Sequence, residues 1–130
     1  MSAMSELVLV YDSDPLHSAR SQEVFTALGI PARTVSLREV TQTVGHLAGL
    51  PGHEARPVPM APPQLSEPML VLAGFSSERM DVLFAALREN GAPPPNRKAI
   101  LTPTNAGWTL DALYVELGRE HEAMHGKKGR

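Results

Sequence analysis

Apolar residues fall into two kinds of pattern along this chain. Leu7-Val8-Leu9-Val10, Met69-Leu70-Val71-Leu72-Ala73 and Ala99-Ile100-Leu101 are short continuous runs bounded by turn residues. Runs of that length read as buried strands. Thr34-Val35-Ser36-Leu37 alternates polar and apolar, the pattern of a half-buried edge strand. Between them the period changes. Met80, Leu83, Phe84 and Leu87 stand at i, i+3, i+4 and i+7, one face of a helix. Val24, Phe25 and Leu28 mark another, which starts at the N-cap Asp14 with Pro15 in the first turn and closes at Gly29. Val40, Val44, Leu47 and Ala48 predict a shorter helix ended by Gly49-Leu50-Pro51-Gly52. Leu110, Leu113, Tyr114 and Leu117 predict a fourth, capped by Thr109, with Trp108 and Leu113 at the positions of a hydrophobic staple.

The order strand, helix, strand, helix occurs twice, over residues 1–50 and 68–125, in one domain spanning 1–130. Leu7–Val10 parallels Leu70–Ala73, Val24–Leu28 parallels Leu83–Leu87, and Gly29 parallels Gly91, a loose internal repeat of βαβ units, each with an appended helix. Two assemblies suit duplicated units of this α/β (α+β) class. Interleaved, they make a ferredoxin-like two-layer sandwich, the expected fold. Set in line, they make a small four-stranded parallel sheet with helices on both faces. Both put the Leu7 and Leu70 strands at the centre.

Residues 51–68 hold six of the twelve prolines and predict an extended connector (51–67), a surface linker or a proline-rich docking segment. Residues 126–130 predict a disordered tail. At 130 residues, 42% hydrophobic and 20% charged, the composition is that of a globular domain. A net charge of -2 without a basic stripe argues against nucleic acid as a partner. The absence of cysteine excludes disulfides and thiolate chemistry. No apolar run is long enough to span a membrane, and a soluble, cytoplasmic protein is expected.

Two constellations carry candidate chemistry. Thr102, Thr104, Asn105, Trp108 and Thr109 gather small polar groups and the only tryptophan between a strand and a helix start. Free N–H groups there suit a small anion or polar metabolite, and the same residues equally suit a structural turn. His121-Glu122-Ala123-Met124-His125 is H-E-x-x-H, which on a helix sets two imidazoles on one face with a glutamate as general base. The third metal ligand would have to come from His46, His53 or Glu54. Asp12 has no evident partner carboxylate.

On Leu47-Ala-Gly-Leu-Pro-Gly52, Gly74-Phe75-Ser76, Lys98-Ala-Ile-Leu-Thr-Pro-Thr-Asn105 and Trp108-Thr-Leu110, the chain resembles a small bacterial domain family of unknown function. It departs at Tyr11-Asp12-Ser13, where a Gly-Phe like Gly74-Phe75 would stand. The resemblance implies no activity and no cofactor. The expected function is therefore a non-enzymatic ligand-binding or regulatory module, homodimeric and without a cofactor, with a metal-dependent hydrolase at His121, Glu122 and His125 and a protein-interaction adaptor as the alternatives.

Overall fold

The structure is a computed structural model that describes the backbone of residues 5–128 and the side chains of residues 5–120. Its strands are β1 (Leu7–Tyr11), β2 (Ala32–Thr34), β3 (Met69–Ala73) and β4 (Arg97–Ile100). Its helices are α1 (Pro15–Leu28), α2 (Val44–Leu47), α3 (Ser77–Glu89) and α4 (Leu110–Lys128), with 3-10 turns at Leu37–Glu39 and Asn105–Gly107. α4 runs on to Lys128, so of the expected 126–130 tail only Gly129 and Arg130 lie outside the described backbone.

The sheet order is β2-β1-β3-β4. β1 pairs parallel with β2, and β3 parallel with β4, while the central β1–β3 pair is antiparallel, with Val8 opposite Leu72 and Val10 opposite Leu70. The mixed α/β class and the central placement of β1 and β3 are as the sequence indicates. The interleaved ferredoxin-like order is not observed, because each second strand lies beside the first strand of its own unit. The in-line arrangement with helices on both faces describes the molecule, corrected in one respect: its two parallel halves run in opposite directions.

The physical reason for a third layer lies in the side-chain alternation of β1 and β3. Val8, Val10, Leu70 and Leu72 face α1 and α3 and pack with Val24, Phe25, Leu83 and Leu87. Leu9, Tyr11, Met69 and Val71 point the other way, against Val40, Val44, Leu47, Leu110, Leu113 and Tyr114. A two-layer sandwich would leave that second set in water, at roughly 1.5–3 kcal/mol for each large side chain.

The caps form as their residues dictate. The Asp14 carboxylate accepts from the N–H groups of Leu16 and His17, and the Ser76 hydroxyl from Arg79 N–H. Gly29 and Gly91 close α1 and α3 at φ 69° and 74°, a left-handed conformation that glycine adopts without a Cβ penalty. Val35 is buried and donates to the Val10 carbonyl, but β2 ends before it. The expected 34–37 strand is cut short because Ser36 N–H bonds the Glu39 carboxylate and turns the chain. The expected helix near 40–49 is likewise confined to Val44–Leu47, although Val40, Val44 and Leu47 all reach the core.

The connector is fastened at both ends. The buried Gln42 amide donates to the Arg56 carbonyl (2.8 Å) and accepts from Arg56 N–H (2.7 Å), as a neighbouring strand would. Tyr11 donates to the Leu65 carbonyl at 3.1 Å, and Glu67 N–H donates to the Tyr114 hydroxyl at 3.0 Å. Replacing Gln42 by Ala strands both Arg56 groups and is expected to cost about 1–3 kcal/mol in urea unfolding. Limited proteolysis should then cut within 53–66 faster than in the wild type.

Candidate functional site

Directly after β4, Leu101 N–H still bonds the Leu72 carbonyl, and then the chain turns. The turn is a reciprocal pair: Asn105 N–H donates to the Thr102 hydroxyl (3.1 Å), and Thr102 N–H donates to the Asn105 side-chain oxygen (2.9 Å). The Asn105 amide nitrogen donates to the Ile100 carbonyl at 3.0 Å, so both ends of that amide are engaged within five residues. Thr102 and Thr104 are exposed, and Trp108 is 37% exposed rather than core.

Thr109 does cap α4, accepting from Ala112 N–H at 3.4 Å. It also meets Thr43, the N-cap of α2, in an isolated antiparallel bridge. Val44 N–H bonds the Trp108 carbonyl, and Leu110 N–H bonds the Gln42 carbonyl, while Asp111 N–H bonds the Val40 carbonyl. The donors at the start of α4 that would serve an anion are thus directed at the other half of the chain. The segment from Thr102 to Thr109 ties β4 to α4 and α4 to α2. A shallow depression of about 370 Å³ runs beside it, lined by Thr102, Thr104, Asn105, Trp108, Lys98 and Glu116.

The side chains of His121, Glu122 and His125 lie outside the described residues. Among the described residues no group of three His, Asp or Glu is placed to hold a metal ion. His46 Nδ1 is 3.0 Å from the His53 carbonyl, and the His53 ring lies against Gly45, where an added Cβ would come within 2.7 Å of it.

A larger depression, about 540 Å³, opens where the parallel strands β1 and β2 end. Crevices outside the carboxyl ends of parallel strands are where open α/β sheets hold ligands. Tyr11, Val35 and Leu65 supply its apolar floor, and Ser13, Thr34, Ser36, Gln64 and Ser66 its hydroxyl and amide rim.

Asp12 borders this cleft but is committed elsewhere. Its side chain is only 2% exposed, one oxygen accepts from Asp14 N–H, and the other pairs with His17 Nδ1. His17 Nε2 lies 2.9 Å from the Pro93 carbonyl. Both ring nitrogens therefore face acceptors, which only the doubly protonated imidazolium satisfies. Burial works against that charge, but the bonds to Asp12 and Pro93 and the charges of Asp12 and Asp14 outweigh it, and the His17 pKa is raised above 6.5. Sequence reasoning left Asp12 without a partner; the available signal was His17, in the first turn of the helix that Asp14 caps.

Residues 68–124 match the family model described as a domain of unknown function, DUF3783. The matched span is β3, α3, β4 and most of α4, the second of the two units. No curated protein and no solved structure matches the chain.

Because the folded pKa of His17 is raised, its contribution to stability is complete below the unfolded value of about 6.5 and is lost as pH rises through the folded value. Urea unfolding across that range should show the gap between wild type and His17→Gln shrinking toward alkaline pH; a gap that widens would reverse the assignment. Asn105→Ala removes the two bonds that its side chain makes to Thr102 N–H and the Ile100 carbonyl, and is expected to lower stability by about 1–2 kcal/mol in the same assay.

Proposed function

We propose that this chain is a non-catalytic binding module that takes a small, uncharged polar molecule into the cleft at the ends of β1 and β2. The observation that carries this reading is the composition of the cleft rim: five hydroxyl or amide side chains over an apolar floor, at the carboxyl ends of a parallel strand pair. Hydroxyls and amides both donate and accept, so they suit polyols, sugars or small amides better than ions. Acid–base catalysis needs a group free to exchange a proton with substrate. Among the described residues the only carboxylate lining the cleft, Asp12, already holds His17 and the Asp14 N–H. Thr102, Asn105 and Thr109 are better used as the brace between halves than as ligand contacts, since their bonds are satisfied within the chain.

Titration of the ¹⁵N-labelled protein with polyols, monosaccharides and small amides tests this. The backbone resonances of Ser13, Thr34, Ser36 and Ser66 should move together and saturate. Thr34 is exposed at the rim, so Thr34→Phe should fill the cleft and weaken binding at least ~10-fold (about 1.4 kcal/mol) with little change in stability. Shifts clustered around Trp108 instead, or conversion of the added compound, would sink the proposal.

A further inference from the structure

Between its fastenings the connector is open to solvent. Residues 54–61 are all exposed, and Met60 is 102% exposed with Val58 at 40%. The stretch is Arg56-Pro-Val-Pro-Met-Ala-Pro-Pro63. Proline fixes its own φ and pushes the residue before it toward extended or polyproline backbone. Every residue from 56 to 63 is either a proline or precedes one, except Met60, and the chain bends at Met60 and Ala61.

Arg56, Pro59 and Pro62 stand at i, i+3 and i+6. With three residues per turn, a polyproline helix sets those positions along one edge, and they line up once a partner straightens the bend at Met60 and Ala61. A basic residue three places before Pro-x-x-Pro is the pattern read by grooves lined with aromatic rings, in which the prolines sit between rings and the cation meets carboxylates at the rim. The fastenings matter to the energetics. Gln42 holds the backbone of Arg56, and Tyr11 and Tyr114 hold Leu65 and Glu67, so both ends of the segment are ordered when the protein folds. A partner then has to order little beyond Met60, which raises affinity for a given contact area.

We propose that residues 56–62 form a docking motif for a partner protein bearing an aromatic-lined, acid-rimmed proline-recognition groove. The motif uses neither the β1–β2 cleft rim nor the bonds that brace the halves.

The test uses the whole chain and, as a chemical probe, a purified SH3 domain that prefers ligands with a basic residue three before Pro-x-x-Pro. Isothermal titration should give saturable one-to-one binding. Pro59→Ala and Arg56→Glu should each weaken it by ~10-fold or more while leaving the melting temperature unchanged, because both side chains are exposed. Absence of saturable binding to the wild type, or binding undiminished in both variants, overturns the proposal. So does a dimer in sedimentation equilibrium that Met60→Ser dissolves, since the segment's occupant would then be a second copy.

Discussion

Everything in the molecule hangs on five residue pairs between β1 and β3, from Leu7 opposite Ala73 to Tyr11 opposite Met69. These two strands carry large apolar side chains on both faces, so neither face can be left to solvent. One face takes α1 and α3, long helices with well-made caps. The other is covered by shorter and less regular pieces: Val35 and Val40 on either side of a 3-10 turn, the single turn of α2, the first part of α4 and the buried Leu65 of the connector. That second layer has too little helix to hold itself in place by packing alone.

Hydrogen bonds between the halves supply what regular structure does not. The Thr43–Thr109 bridge, with its reciprocal bonds from Val44 to Trp108 and from Leu110 to Gln42, locks the starts of α2 and α4 to each other. The Gln42 side chain then fixes the connector. Arg97 adds a third tie: it pairs with Glu67, lies over the Tyr114 ring and donates to the Tyr114 carbonyl. Gly118 sits where α4 meets that guanidinium; a Cβ there would fall 2.3 Å from Arg97 Nη2. A glycine in mid-helix costs about 1 kcal/mol relative to alanine, and here the close approach of Arg97 accounts for it.

What could be read from the sequence were features set by local rules. Val24, Phe25, Leu83 and Leu87 mark helices through their spacing, Asp14 and Ser76 are capping residues wherever they precede a helix, and Gly29 and Gly91 end helices for steric reasons. The apolar runs at Leu7 and Met69 identify central strands because both faces are buried. What could not be read depended on distant partners. Strand order requires knowing which edge β2 takes, and no side chain in Ala32–Thr34 encodes that. The Ser36–Glu39 turn competed with strand propensity at Val35 and won. Thr102, Thr104 and Asn105 were recognisable as a polar turn, whereas the direction of the α4 donors depends on Val40 and Gln42, which lie far away in the chain. The His17 and Asp12 pair needed a third member, the Pro93 carbonyl, that sequence does not advertise.

The antiparallel seam between β1 and β3 has a consequence for chain architecture. Each unit, β-α-β followed by a covering segment, contributes one central strand and one edge strand, and the span matched by the DUF3783 model is one such unit. Alone, that unit would present Met69–Ala73 as a bare edge, apolar on both sides. An edge of that kind recruits another strand. Linking two units in one polypeptide makes their meeting intramolecular, independent of protein concentration, and hides the edge as soon as it forms. The connector therefore also acts as a tether that sets an effective concentration, and its length governs how readily the seam closes on itself rather than on a neighbouring chain.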